Sequence, residues 1–93
     1  MDNKKLFKEI SLDLQREGAR KVAVFGSYAR GKARKSSDID ILVNFKTVKS
    51  LLELARIERE LSESFGIKVD LVTERSLSPY IKEKVKKEMV IIS

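Results

Sequence analysis

The stretch FGSYARGKARKSSDIDILV, residues 25–43, decides how this chain is read. A Gly-Ser pair, Gly26-Ser27, closes one apolar run, and a second apolar run opens through Asp38-Ile39-Asp40 with ten residues between Ser27 and Asp38. Those ten residues hold four cations, Arg30, Lys32, Arg34 and Lys35, and no acid. The alternation in DIDILVN predicts a strand over Asp38 to Asn44. On a strand, alternate side chains share a face. Asp38 and Asp40 therefore lie on one side, with Cα atoms about 6.5–7 Å apart. Ile39, Ile41 and Val43 lie on the other side, where they can fill a core.

Working outward, KVAVF (Lys21 to Phe25) reads as the preceding strand. The turn at Gly26-Ser27 is expected to start a short helix, and Gly31 to Ser37 to return as a loop. Residues 4–17 carry Leu6, Phe7, Ile10 and Leu14 near one helical face, and Gly18 is a plausible stop. Residues 48–65 predict the longest helix, with Leu51, Leu54, Ile57, Leu61 and Phe65 as its apolar stripe and Gly66 as its stop. Ile67 to Val72 reads as a third strand. Ser78-Pro79 opens a last helix, because Ser caps free N–H groups and Pro suits the first helical position. Ile81, Val85 and Met89 form its inner stripe. Val90 to Ile92 is expected to add a fourth strand, and the sequence leaves open whether it is a core or an edge strand. Helices alternating with strands predict an α/β fold, a small mixed sheet of about four strands flanked by helices. At 93 residues, the chain is expected to form a single domain, 1–93.

On the third strand, Ile67, Val69 and Leu71 share one face and Asp70 takes the other, with Lys68 and Val72. If this strand lies beside DIDILVN with apolar faces matched, Asp70 joins Asp38 and Asp40. Three such carboxylates repel one another and raise each other's pKa unless a cation joins them. The chain has no Cys and no His. Thiolate metal sites and disulfides are thereby excluded, and oxygen ligation points to Mg²⁺ or Mn²⁺ rather than Zn²⁺. Two such ions can clamp the attacking and leaving oxygens of a phosphoryl transfer.

Gly26 allows close approach to the backbone, and the free N–H groups of a following helix, with the Ser27 hydroxyl, suit a phosphate. Arg30 lies one turn on and can support the same phosphate. The remaining cations of the loop are either solvated or contacts for a nucleotide, RNA or an acidic partner. Net charge is +6, from 20 Lys and Arg against 14 Asp and Glu, which suits polyanions in general. No apolar run approaches the ~20 residues of a membrane span, and the charged N-terminus lacks a signal core, so a cytoplasmic protein is expected.

With these residues in view, GSYARGKARKSSDIDILV resembles the signature of the DNA polymerase β-like nucleotidyltransferases: Gly-Ser, ten residues, Asp-X-Asp, and a third carboxylate on a later strand. The small size, the Ala-Arg-Gly after Gly-Ser-Tyr and the SDIDILV wording are similar to the minimal nucleotidyltransferases (MNT proteins). Members of that group pair with HEPN-domain toxins as toxin–antitoxin systems. The resemblance covers nearly the whole chain and implies a polymerase β-like core. It implies that Asp38 and Asp40 ligate two Mg²⁺ ions. Asp70 would ligate the catalytic ion and help deprotonate an acceptor hydroxyl. Gly26 and Ser27 would hold the β- and γ-phosphates of ATP, the substrate. The implied reaction is AMP transfer to a hydroxyl, a tyrosine of the HEPN ribonuclease, which silences it. A chain this short leaves little wall for an acceptor, so the partner or a second copy would complete the cleft. Two alternatives stand beside this one: an antitoxin that neutralises by binding alone, and a nucleotidyltransferase acting on RNA ends or on a small-molecule hydroxyl.

Overall fold

The computed structural model describes residues 3–34 and 36–93. Its elements in chain order are α1 (Lys4–Arg16), β1 (Ala19–Phe25), β2 (Ile39–Phe45), α2 (Leu51–Phe65), β3 (Val69–Thr73), a 3₁₀ turn (Glu74–Ser76), α3 (Pro79–Glu88) and β4 (Val90–Ile91). The strands form one four-stranded sheet in the order β3-β2-β1-β4. β1 runs antiparallel to both β2 and β4, whereas β2 and β3 are parallel, joined through α2. The expected mixed sheet is what forms. Val90 and Ile91 are an edge strand, which resolves the choice left open by the sequence.

The apolar alternation of β1 and β2 sends Val22, Val24, Ile39, Ile41 and Val43 to one face, each with no solvent exposure. There they pack with Ile10 and Leu14 of α1, Ile57 and Leu61 of α2, and Val69 of β3. The opposite face has a smaller cluster, Ala23, Leu42 and Val85 of α3, flanked by Phe25, Leu77 and Met89. Two helices thus cover one face and α3 covers part of the other.

Local chemistry sets the helix ends. Ser50 and Glu53 form a reciprocal capping box: the Glu53 N–H donates to Ser50 Oγ at 3.1 Å, and the Ser50 N–H to Glu53 Oε1 at 3.4 Å. Helix α2 therefore starts at Leu51, three residues later than periodicity suggested, and Leu51 is 85% exposed rather than part of the inner stripe. Burial along α2 begins only at Ile57. Gly66 ends the helix in the left-handed conformation, as expected. Ser78 caps α3, but Ile81, expected inward, is 52% exposed, leaving Val85 as the buried residue of that helix.

The β3 edge is closed by side chains of α2. The outward N–H of Val69 donates to Ser62 Oγ at 2.9 Å, and that of Leu71 to Glu58 Oε2 at 2.8 Å. These bonds hold β3 in place beside β2, and the position of Asp70 follows from that. No helix among the described residues is long and apolar enough to cross a membrane.

Candidate active site

The parallel register of β2 and β3 puts Ile39 beside Val69 and Asp40 directly beside Asp70. On its other side Asp40 pairs with Phe25, the last residue of β1. The two carboxylates thus meet at one end of the sheet, next to the turn that leaves β1. The Asp40 and Asp70 carboxyls lie side by side, and hydrogen bonding between them favours the protonated form of Asp40. Burial pushes the Asp40 carboxyl above its ordinary value. The charges of Asp70 and Asp38 and the bond to Asp70 push the same way, and Arg30 opposes them.

Asp38 stands one residue ahead of β2, not within it, and is half-buried. Its carboxylate lies 3.8 Å from the Lys68 ammonium. Its charge reaches Asp40, but its side chain is turned to a cation. Among the described residues, no group of three or more acids is drawn together tightly enough to hold an ion. The structure thus joins Asp40 with Asp70 closely and keeps Asp38 at their margin.

The donor set nevertheless fits a divalent cation. It is all oxygen, and the like charges that raise the Asp40 pKa are those a bound cation would offset.

Gly26 meets two constraints at once. Its φ is +74°, which disfavours any residue with a Cβ, and a Cβ built there would run into the Asp40 carboxylate. The glycine is what allows the β1 turn to close over that aspartate. The segment that follows differs from expectation. Residues 26–31 are a series of turns, with a single helical bond from Arg30 N–H to the Gly26 carbonyl at 3.1 Å, and no helix forms. Gly31, at φ +71°, ends the segment after one turn. Lys32 N–H closes it by donating to the Ser27 carbonyl at 2.9 Å. Tyr28 and Ala29 lean on the core below.

Without a helix there is no helix dipole, but free donors remain. Among the described residues, the Ser27 hydroxyl and the N–H groups of Ser27, Tyr28 and Ala29 have no hydrogen-bond partner. Such a group of unpaired donors suits phosphate oxygens. Arg30 is half exposed, and its charge acts on Asp40. Of the other loop cations, Lys32 and Arg34 are exposed, and Lys35 lies outside the described residues. Arg34 and Ser37 brace the loop, with Arg34 N–H donating to Ser37 Oγ at 2.8 Å and Ser37 N–H to the Arg34 carbonyl at 2.9 Å.

One residue at this site was not singled out from the sequence. Glu88, the last residue of α3, accepts from both the Gly26 N–H and Arg30. Its only signal in the sequence is proximity to the terminal strand, and that becomes informative only once the pairing of that strand is known.

Paired carboxylates beside a Gly-Ser turn, on a mixed four-stranded sheet, define a nucleotidyltransferase. Over residues 4–92 the chain matches the family described as nucleotidyltransferase domain, and it belongs to that family. The protein adenylyltransferase MntA of Thermococcus cleftensis is 44% identical over 78 residues, spanning 84% of this chain and 79% of that protein. A solved minimal nucleotidyltransferase superposes with a TM-score of 0.80 at 42% identity, over 97% of this chain and 95% of the other. A toxin–antitoxin crystal structure with AMP-PNP gives a TM-score of 0.81 at 25% identity, over 92% of this chain and 72% of that one.

Proposed function

We propose that this nucleotidyltransferase moves AMP from ATP to a tyrosine hydroxyl of a HEPN-domain ribonuclease, and thereby serves as the antitoxin of a toxin–antitoxin pair. The observation that carries the reading is the in-register pairing of Asp40 with Asp70 beside the Gly26-Ser27 turn. The similarity to a protein adenylyltransferase and to a toxin–antitoxin structure with a nucleotide analogue supports the substrate and the partner.

In this reading the unpartnered N–H groups of Ser27, Tyr28 and Ala29 and the Ser27 hydroxyl receive the β- and γ-phosphates, and Arg30 adds a charge-assisted contact. Asp38, Asp40 and Asp70 would hold two Mg²⁺ ions, or Mn²⁺ in their place. Bound there, such ions would supply the positive charge that offsets phosphates and carboxylates together. Asp70 takes the proton of the acceptor hydroxyl. The hydroxyl oxygen forms a bond to the α-phosphorus, the bond from that phosphorus to the bridging oxygen breaks, and pyrophosphate leaves. The toxin brings its tyrosine to the half-exposed Asp40–Asp70 end of the sheet and completes the cleft.

The test is co-expression with the HEPN-domain protein, followed by intact-mass measurement of that partner, alongside the Asp38→Asn/Asp40→Asn variant. The expected result is a partner heavier by one or more AMP units, with no increase when the variant is used. An unmodified partner that is tightly bound and inactive overturns the catalytic reading in favour of neutralisation by contact.

A further inference from the structure

Glu88 Oε1 accepts a hydrogen bond from the Gly26 N–H at 3.1 Å, and Glu88 Oε2 accepts one from Arg30 Nη1 at 3.1 Å. One carboxylate therefore ties the first peptide of the β1 turn to the cation one turn further on. Its placement is built into the sheet. β4 pairs antiparallel with β1, Val90 opposite Val24, and continuing that register by two residues sets Glu88 opposite Gly26. The backbone ladder delivers the carboxylate to this point.

A carboxylate on candidate phosphate donors could compete with the nucleotide, or it could prepare the site for it. The donors decide between these. The Gly26 N–H that Glu88 occupies belongs to a buried residue at the strand end. The N–H groups left without partners are those of Ser27, Tyr28 and Ala29, further along the turn. Arg30 is the one shared group. A guanidinium carries five N–H donors in a rigid fork, and the bond to Glu88 engages Nη1. The remaining donors are available to a phosphate while Glu88 stays in place. A long side chain fixed before its ligand arrives loses less freedom on binding.

We propose that Glu88 is a positioning residue of the nucleotide site, locking the Gly26 peptide and aiming the Arg30 guanidinium at the triphosphate. This inference rests on the nucleotide reading above.

Its test is calorimetric binding of AMP-PNP with Mg²⁺ to the purified full chain. The set comprises the wild type, Glu88→Gln, Glu88→Ala, Arg30→Ala and Arg30→Ala/Glu88→Gln, with a melting temperature for each. Glu88→Gln keeps an oxygen for the Gly26 N–H and loses the ion pair, so affinity is expected to fall about 3–10-fold. Glu88→Ala removes both bonds and should fall further. In the Arg30→Ala background, Glu88→Gln should have no additional effect, because coupled residues are non-additive. A purely structural role would lower the melting temperature without that dependence on Arg30. Unchanged binding in Glu88→Gln, or an equal loss in both backgrounds, overturns the proposal. Tighter binding overturns it too, and makes Glu88 a competitor of the phosphate. A wild type that binds no AMP-PNP refutes the nucleotide reading itself, and the proposal with it.

Discussion

Ile41 and Asp40 are neighbours in the chain and lie on opposite faces of the same strand. Ile41 is fully buried among residues of β1, β3 and two helices. Asp40 is half-buried, pressed under Gly26 and set beside a second acid, Asp70. On the face covered by α1 and α2 the core is a contiguous apolar cluster that favours folding. On the other face Val85 of α3 packs on Ala23 and Leu42, and only the last residue of that helix, Glu88, reaches the turn beside Asp40. Burial of the Asp40 carboxyl, together with the like charges beside it, opposes folding, since both raise its pKa above what it would have in an unfolded chain. One face supplies the stability that lets the other hold groups which repel each other, a division common at active sites. Substitutions on the two faces should therefore separate stability from activity.

The largest effect is expected at Asp40. Asp40→Asn should reduce AMP transfer by about 10²–10⁴-fold, the scale of losing several kcal/mol of transition-state stabilisation. In metal-free buffer the same variant should melt at or slightly above the wild-type temperature, because it removes a like charge and its amide can donate to Asp70. Thermal melts alongside a transfer assay check both halves. A marked drop in melting temperature would erase the contrast between the faces.

Ile41→Ala tests the covered face. A fully buried, well-packed aliphatic truncated to Ala costs about 2–5 kcal/mol. For a chain of this size that lowers the melting temperature by about 10–30 °C. Below its own melting transition the variant should still transfer AMP, since Ile41 points to the face of β2 opposite Asp40. Urea unfolding gives the stability, and transfer assayed well below the transition gives the function.

Gly26 is where the two faces meet. Gly26→Ala combines an unfavourable φ with an encounter between the new methyl and the Asp40 carboxylate. A loss of about 1–3 kcal/mol is expected, together with weaker nucleotide binding. Gly31→Ala is the control. Its φ is also positive, but an added Cβ there meets nothing within 4 Å. The control should show the backbone penalty without the loss of function. Equal losses of binding in both variants would mean that turn shape alone, and not room for Asp40, is what Gly26 supplies.

These contrasts were visible in the sequence to different degrees. The two faces were legible, because alternation in DIDILVN separates Asp40 from Ile41 whatever the fold does. The pairing of Asp40 with Asp70 followed once apolar faces were matched between strands. Three features depended on information that is not local. The segment after Gly26 has helix-compatible residues, but Gly31 cuts it to one turn, and a single turn gains too few hydrogen bonds to persist as a helix. Leu51 fits the periodic stripe of α2, yet the first turn of that helix carries no buried residue, so periodicity there met nothing to pack on. Glu88 reads as one more charge on a Lys-rich helix, and only the β1–β4 register reveals what it faces.

The smallest expected effect lies far from the carboxylates, where α1 meets α2. Glu17, just after α1, accepts two bonds from Arg56 of α2, from Nη2 at 3.0 Å and from Nη1 at 3.3 Å. The bond to Arg56 holds the Glu17 carboxyl below its ordinary value of 4.5, against burial, which opposes it. The sign of the pH effect follows from that direction. Above pH 4.5 both folded and unfolded chains carry the ionised group, and the contribution of the pair is fully present. As the pH falls below 4.5 the unfolded chain takes up its proton first, and the contribution is lost as the pH passes down through the folded value. Glu17→Gln should therefore melt about 2–5 °C below the wild type at pH 7, in keeping with a partly exposed pair. The gap should close in melts taken stepwise towards pH 3. A gap that stays constant with pH would show that Glu17 acts through packing rather than charge. Activity per folded molecule should not change, because this pair supports the covered face and has no contact with the other.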